Sequence, residues 1–317
     1  MEFSPADLDL ISAHRDRLRA LDPALAIGAE PPTLELTDHV IRAGGGLALL
    51  RHRSADPADP HSAWGPLRTS QLTCWHDGNL SGLVDLVTDA VAAAAAHWRL
   101  DASDRETCLA AFSPARDTAV TAALLETGFA PISQTGVLTD LARLAPAHEL
   151  PAGHTIAPLS EATDEQVLPL IEALGDEEAD YLVTYPRPVS PARSLVAEAR
   201  SSGARTSFVT RSGKRVVGIV TTNEPGTSDD PADKPWFARS TSLARVGYLG
   251  LAYVVPDFRG RGVMSSLVTA AHAAQREIGT RAMIADYSVT NPYSCSLWHK
   301  TGYRPLHHTW RRRVPVS

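Results

Sequence analysis

The sequence has only three cysteines in 317 residues, Cys74, Cys108 and Cys295, and none of them forms a Cys-x-x-Cys pair. Such an odd, scattered set argues against a disulfide framework or a zinc site and fits a reducing compartment. No run of eighteen apolar residues is present, because the alanine-rich stretch 84–96 carries Asp85 and Asp89. The first residues also lack a basic region followed by an apolar one. We therefore expect a cytoplasmic protein without a membrane span.

Lysine is missing from the first half of the chain, and this half is strongly acidic. Residues 1–150 hold 11 arginines and 20 acidic residues, a net charge of −9, whereas residues 151–317 hold 19 basic and 16 acidic residues, a net charge of +3. The acidic half argues against nucleic-acid binding, and the mildly basic half would better tolerate a polyanionic ligand. Hydrophobic residues at 44% and charged residues at 21% are typical of globular proteins, and the length suits two domains.

The two halves of the chain repeat one order of strands and helices. In each half a strand leads to a long amphipathic helix, a second strand and a shorter helix that stops at Gly128-Phe129 or at Gly302-Tyr303. This repeat predicts an α/β protein of two tandem domains, residues 1–147 and 148–317, with a proline-containing linker at 144–151. The run Arg311-Arg312-Arg313 is interpreted as a short, solvated basic tail.

The segment Arg259-Gly260-Arg261-Gly262, called the glycine turn below, lies between a predicted strand, 246–255, and a predicted helix, 262–278. Glycines allow close approach to a ligand, and the N–H groups at a helix N-terminus attract anions. Together with the two arginines, this pattern predicts a pyrophosphate site. The equivalent segment of the first half, 76–82, has no arginine and contains Asp77, so we expect no phosphate to bind there.

The glycine turn resembles the Arg/Gln-x-x-Gly-x-Gly/Ala signature of the GCN5-related N-acetyltransferases (GNAT). Arg259 and Gly262 match, and Met264 replaces the usual small residue. Five downstream residues resemble the second signature of the family: Asn291, Ser294, Leu297, Lys300 and Gly302. The resemblance implies two tandem GNAT-like domains, each a mixed, mostly antiparallel sheet flanked by helices, with a degenerate N-terminal copy.

The resemblance also implies a reaction, in which acetyl-CoA is the donor substrate, an amine attacks it directly and no metal takes part. The acceptor is expected to be a small-molecule amine, and neither a nucleic acid nor a membrane is expected as a partner. The residues implied in acetyl-CoA binding are Tyr253, Val254, Val255, Arg259, Gly260, Arg261, Gly262, Val263, Met264, Asn291, Ser294 and Trp298. The backbone amides of residues 253–255 are expected to hold the pantetheine arm and polarise the thioester carbonyl.

The proton-transfer residues are less well defined by the sequence. Trp298 stands where the family usually has a tyrosine acid, and an indole does not release a proton at neutral pH. Trp298 is therefore expected to pack, leaving Tyr287 or Tyr293 as the acid, or a thiolate that departs unassisted. Asp286 is the candidate base, on the strand face opposite Tyr287, although a structural role at a strand end would also explain it.

Two other readings remain open at this point. The missing tyrosine acid would also fit a non-catalytic acyl-CoA-binding or sensor protein, and the same fold could use a different acyl or aminoacyl donor. Acidic and aromatic residues within 176–185 and 224–237 indicate a cationic amine as the acceptor. The run 176–180 could equally be a solvated loop. His299, His307 and His308 lack the spacing of a metal site.

Overall fold

The computed structural model describes residues 2–28, 30–98, 104–142, 149–181, 183–226 and 234–315. These residues contain helices and strands in the following order: α1 Pro5–Leu21, β1 His39–Ala43, β2 Gly46–Ser54, β3 Arg68–Trp75, α2 Leu80–Trp98, β4 Thr107–Pro114, α3 Thr118–Glu126, β5 Ala130–Leu138, β6 His154–Pro158, α4 Asp164–Asp180, α5 Ala192–Ser202, β7 Phe208–Ser212, β8 Arg215–Asn223, β9 Val246–Val254, α6 Val263–Glu277, β10 Ala282–Ser288, α7 Pro292–Lys300 and β11 Arg304–Arg313.

The chain forms two compact units that do not coincide with its linear halves. Unit 1 comprises residues 1–134 and 306–317, and unit 2 comprises residues 135–305. Strand β5 therefore passes into unit 2 at Thr135, and β11 passes into unit 1 at Leu306. This division differs from the linear boundary expected at 147, because sequence reasoning assigned each closing strand to its own half. Most of the expected linker at 144–151, namely residues 144–148, lies outside the described residues.

Unit 1 is a sheet in the order β1-β2-β3-β4-β11, in which only the β3–β4 pair is parallel. Helix α2 has the length and apolar composition of a membrane span. Its residues Leu86, Val87 and Ala90 are fully buried in the core of unit 1. The expected basic tail is instead part of β11, since residues 307–313 pair with β4 and the buried Trp310 donates a hydrogen bond to Ser113. The tail prediction was wrong because strand pairing outweighed the polarity of the arginines.

Unit 2 is a sheet in the order β5-β10-β9-β8-β7-β6, with β9 and β10 parallel and β6 to β9 antiparallel. Helices α6 and α7 cover one face, where Leu267, Ala271, Met283 and Trp298 belong to one buried cluster. The mixed, mostly antiparallel sheets flanked by helices confirm the fold class expected from the sequence. Because α6 follows β9 directly through the glycine turn, its N-terminus lies at the end of β9.

Candidate active site

Strands β9 and β10 of unit 2 part from each other halfway along their length. Their parallel pairing covers Val246–Leu249 and Ala282–Ala285, after which β9 continues along β8 as far as Val254. The β8–β9 register shifts between Val220 and Thr222, and the Leu251 amide donates to the Thr221 hydroxyl at 2.8 Å. A bulge of this kind bends a strand. We call the gap between the diverging strands the β9–β10 splay.

The backbone of β9 presents only some of its polar groups to the splay. The Val255 amide donates to the Val217 carbonyl at 3.0 Å, so it bonds to β8 and is not available to a ligand. Antiparallel hydrogen bonding alternates along a strand, so the amides of Ala252 and Val254 point the other way, toward the splay. Of residues 253–255, Val254 is thus the one whose backbone amide points toward the splay, whereas the Val255 amide is bonded to β8.

The glycine turn leads into α6 through two left-handed residues. Gly260 has φ of 71° and Gly262 has φ of 81°, a region that side chains with a Cβ rarely adopt. Gly262 caps α6, and no side chain accepts from the first N–H groups of this helix. Val263 is almost fully buried and anchors the helix, while Met264 is half-buried. The turn therefore offers an anion backbone donors at a helix N-terminus.

The Arg259 side chain bonds to neighbouring parts of unit 2 and thereby holds the glycine turn in place. Its Nε donates to the Val254 carbonyl at 2.8 Å, and its Nη2 donates to Glu177 Oε1 at 2.6 Å. Its guanidinium also lies 5.2 Å from the centre of the Tyr253 ring and 5.6 Å from that of Tyr293. Arg259 thus connects the end of β9, the glycine turn and α4. Arg261 is the exposed arginine of the turn.

Two glutamates near the C-terminal end of α4 reach opposite sides of the splay. Glu177 accepts from Arg259 and from the Tyr253 hydroxyl at 3.2 Å, on the β9 side. Glu178 accepts from the Asn291 side-chain amide at 3.0 Å, on the β10 side. Burial raises the pKa of Glu178 despite this hydrogen bond. Sequence reasoning left the run 176–180 open, as a solvated loop or as part of an acidic acceptor site, and it did not assign these partners to Glu177 and Glu178.

A sequence signal for these glutamates was nevertheless present. Val167, Ile171, Leu174 and Glu178 follow helical spacing, so the apolar stripe of α4 leads directly to Glu178. The helix continues to Asp180, so the run 176–180 is helical and not a loop. Asn291 serves two purposes here, because its Oδ1 also accepts from the Tyr293 amide at 3.0 Å and caps α7. Asn291 thereby connects the α7 N-terminus to α4.

Asp286 lies on β10 directly after the last residue paired with β9. Thr135 donates to its Oδ1 at 2.5 Å, and the Tyr248 hydroxyl lies 3.3 Å from its Oδ2. Desolvation by the surrounding protein raises the pKa of Asp286, and these two hydrogen bonds oppose that shift. Solvent still reaches the side chain, as proton exchange with water requires. A positioned carboxylate with a raised pKa can act as a general base.

The remaining candidate residues differ in their exposure, and two of the three are buried. Tyr287 packs in the buried cluster beneath α6 and α7, on the face opposite Asp286, so the structure does not bring these two candidates together. Trp298 lies in the same cluster at 4% exposure and donates to the Ser294 hydroxyl at 3.2 Å. Burial thus places Trp298 in the core rather than against a ligand. Tyr293 is 66% exposed in the first turn of α7.

A comparison with protein families matches residues 171–303 to the Acetyltransferase (GNAT) family. Among solved structures, a GCN5-related N-acetyltransferase from Sphaerobacter thermophilus is 14% identical, with a TM-score of 0.53 over 85% of this chain and 77% of that one. A tandem GNAT protein from the clavulanic acid biosynthesis pathway is 19% identical, with a TM-score of 0.47 over 99% of this chain and 98% of that one. A search of curated proteins found no match.

The matched residues contain the splay, the glycine turn, Asp286 and the capped start of α7. Unit 1 repeats the order of strand, long helix, strand and short helix with its own parallel pair, β3 and β4. Residues 171–303 therefore form a domain that matches the acetyltransferase (GNAT) family, and unit 1 repeats the order of its central strands and helices.

Proposed function

We propose that unit 2 transfers an acetyl group from acetyl-CoA to the nitrogen of a small amine by direct attack. The observation that carries this proposal is the parting of β9 and β10 beside a helix N-terminus that two left-handed glycines leave uncapped. The pyrophosphate would bind at the glycine turn, and the Val254 amide would face the pantetheine arm. Each of these groups suits a polar, anionic donor.

In the proposed reaction the amine nitrogen forms a bond to the thioester carbonyl carbon, and the carbon–sulfur bond breaks. Asp286 accepts the proton that the amine loses, and the sulfur leaves as a thiolate or is protonated by Tyr293. Tyr293 is the better placed of the two candidate acids because it is exposed and lies beside Arg259, whereas Tyr287 is buried on the other face.

The acceptor is proposed to be a cationic amine. The Tyr248 hydroxyl lies 3.3 Å from Asp286 Oδ2, and the carboxylate of Glu198 on α5 also acts electrostatically on Tyr248. Phe237 stacks on Tyr248 at 5.4 Å, and Trp236, 56% exposed, meets the same ring at 4.9 Å. Carboxylates beside exposed aromatic faces favour a positively charged ligand. The expected acidic residues of segment 227–233 lie outside the described residues.

A non-catalytic acyl-CoA sensor is the second candidate, and the burial of Trp298 favours it because position 298 then offers no acid. The two functions separate in one assay. A transferase releases free CoA over many turnovers when an amine is present, whereas a sensor binds acetyl-CoA and releases none. A same-fold enzyme with another donor would turn over with a different acyl or aminoacyl thioester and not with acetyl-CoA.

The first test is calorimetric titration of acetyl-CoA into the full chain, and we expect one site per chain. Arg259→Ala should lower the affinity about 10-fold, because it removes the hydrogen bonds to Val254 and Glu177 that position the glycine turn, and a hydrogen bond to a charged group contributes about 1.5 kcal/mol. Arg276→Ala, at an exposed arginine in the last turn of α6, is the matched control and should leave the affinity unchanged. Absence of binding to the wild-type chain would remove both the donor site and the transferase.

A further inference from the structure

Three histidines from separate elements of unit 1 come together outside the site described above. His39 lies on β1, His52 on β2 and His97 in the last turn of α2, and one ring nitrogen of each lies within 4.8 Å of the others. The rings of His52 and His97 are stacked at 3.6 Å, and His39 lies edge-on to His52 at 5.2 Å. We call these three residues the histidine cluster.

The central ring of the histidine cluster is held by a buried hydroxyl. His52 Nδ1 lies 2.8 Å from the Ser70 Oγ, which also accepts from the Trp98 indole at 2.7 Å. Ser70 is fully buried, so these contacts fix the orientation of the imidazole. Metal-ligating histidines usually have one ring nitrogen bonded in this way to a neighbouring polar group.

The other nitrogen of His52, Nε2, is buried and has no hydrogen-bond partner among the described residues. Buried polar atoms are nearly always satisfied, so an imidazole nitrogen without a partner needs an explanation. A second and a third imidazole stand beside it, and both belong to exposed residues that can turn. The unpartnered nitrogen and its two neighbours therefore indicate a missing ligand for all three rings.

We propose that the histidine cluster is a binding site for a divalent transition-metal ion of the zinc type, with His39, His52 and His97 as its three protein ligands. Three imidazoles and a water molecule are a known ligand set for Zn²⁺, and imidazole suits this class of metal better than Mg²⁺ or Ca²⁺. The nearby carboxylate of Asp38 is held by Arg51 through two hydrogen bonds, at 2.9 and 2.6 Å, and is not a fourth ligand.

Metal binding requires one ring of the stacked pair to tilt, because parallel rings do not direct their lone pairs to one point. His97 makes this movement, since it is exposed, whereas Ser70 holds His52. The bound ion connects β1, β2 and the end of α2. This proposal departs from the expectation of no metal, which rested on local spacing, whereas His39, His52 and His97 are far apart in the sequence.

The test is a titration of Zn²⁺ into the full chain, prepared without a histidine tag and freed of metal with a chelator. We expect one Zn²⁺ per chain, no response to Mg²⁺, and a rise in the melting temperature with Zn²⁺. His97→Gln should lower the Zn²⁺ affinity about 100-fold and Ser70→Ala about 10-fold, in the range seen for ligands and their supporting groups. His61→Gln, at an exposed histidine elsewhere in unit 1, is the control and should change neither value.

Both His39 and His97 are exposed, so their glutamine variants are expected to fold, and circular dichroism verifies this. Replacement of Zn²⁺ by Co²⁺ should produce visible absorption bands in the wild-type chain that are lost in His97→Gln. Zinc binding that is weak, of variable stoichiometry or equal in wild type and His97→Gln would overturn the proposal. Acetyl-CoA binding by unit 2 is measured in parallel and should be unaffected by any of these variants.

Discussion

Units 1 and 2 share one arrangement, in which two parallel strands stop pairing and each leads into a helix. We call the place where the pairing stops the crossing, and the polar groups at the crossing differ between the units. In both units the parallel strands stop pairing at one equivalent point, Ala111 on β4 and Ala285 on β10. The next residue is Phe112 in unit 1 and Asp286 in unit 2. Phe112 stacks on His307 at 4.3 Å, so unit 1 has an aromatic contact where unit 2 has its candidate base.

The residue at the start of the helix that follows the second parallel strand also differs between the two units. Five residues after these positions come Asp117 and Asn291, at the N-cap positions of α3 and α7, where the Asn291 side chain caps its helix and the Asp117 side chain does not. In unit 1 Asp117 accepts from Arg17 at 2.7 Å and lies 3.1 Å from His76 Nε2, and both Asp117 and His76 are 2% exposed. In unit 2 the neutral Asn291 contacts Glu178 instead. Unit 1 thus fills its crossing with a buried ion pair, where unit 2 has polar groups that solvent can reach.

The turns after the first strands complete the comparison. Unit 1 connects β3 to α2 through four residues, 76–79, of which Gly78 alone has positive φ. Unit 2 uses eight, 255–262, with two left-handed glycines. The short turn brings His76 to Asp117, and the long turn contains the two arginines and the two left-handed glycines. The same order of strands and helices can therefore have a packed, buried crossing, as in unit 1, or a crossing with accessible polar groups that suits a ligand, as in unit 2. A few polar residues make the difference.

The largest expected effect is on turnover and concerns Asp286, the proposed base. Asp286→Asn should lower turnover about 100- to 10,000-fold, because an amide cannot accept the amine proton. In the wild type, activity should fall as the pH drops through the raised pKa of Asp286, since the base must be ionised. Steady-state kinetics over pH and calorimetry with acetyl-CoA measure these effects.

The controls for this prediction come from both units. Phe112→Ala, at the equivalent position of unit 1, should leave turnover unchanged, and Asp286→Asn should leave the acetyl-CoA affinity unchanged. Normal turnover in Asp286→Asn would show that the two crossings do not differ in catalysis at this position.

The second expected effect concerns the stability of unit 1. Asp117→Ala leaves Arg17 and the buried His76 without their acceptor, and breaking a buried pair costs about 3 kcal/mol of the free energy of unfolding. Urea denaturation measures the loss, and hydrogen exchange should show faster opening of α1 and residues 76–79. Asn291→Ala, the equivalent change in unit 2, should cost about 1 kcal/mol as a lost helix cap. Equal costs for the two variants would contradict the comparison.

A third prediction concerns the glycines of the two turns. Gly262→Val places a β-branched residue at φ of 81°, and an unfavourable left-handed conformation costs about 1–2 kcal/mol. We expect the acetyl-CoA affinity to fall about 10-fold, because each 1.4 kcal/mol corresponds to one factor of ten. Gly78→Val, at φ of 103° in unit 1, is the matched variant and should leave the affinity unchanged. A similar loss in both variants would place the donor site elsewhere.

The smallest expected effect is the acid sensitivity of unit 1. Burial lowers the pKa of His14 from its ordinary value of 6.5 to about 4. A depressed histidine pKa means that the unfolded chain binds a proton first, so this part of the stability is complete above pH 6.5 and is lost as the pH falls toward 4. In His14→Gln, the melting temperature should therefore vary less with pH between these two values.

His272 of unit 2 provides the comparison, because burial also lowers its pKa to about 4 and its Nε2 lies 2.9 Å from the Tyr303 hydroxyl. His272→Gln should likewise make the melting temperature vary less over the same pH range, through its effect on unit 2. Hydrogen exchange at pH 4.5 and 7 then assigns each effect to its unit. An unchanged pH profile in His14→Gln would show that folding does not lower the pKa of His14.

Several features could be read from the sequence because they depend on neighbouring residues. Helical periodicity and caps predicted α1, α6 and α7 to within a few residues. The glycine turn was recognisable because positive φ demands glycine, whatever surrounds it. Alternation along β10 correctly placed Asp286 and Tyr287 on opposite faces. The absence of arginine in residues 76–82 predicts that unit 1 binds no phosphate there, and this stays a prediction.

Other features depend on residues that are distant in the chain, and these only the tertiary structure decided. The assignment of β11 to unit 1 follows from pairing between residues about 200 apart, and local polarity gave no sign of it. The partners of Arg259 and Asn291 are glutamates of α4 that sequence reasoning had offered as a loop. The histidine cluster joins β1, β2 and α2. Local sequence determined backbone conformation and periodicity, whereas long-range packing determined which polar groups meet, because such contacts form only when separate elements fold against each other.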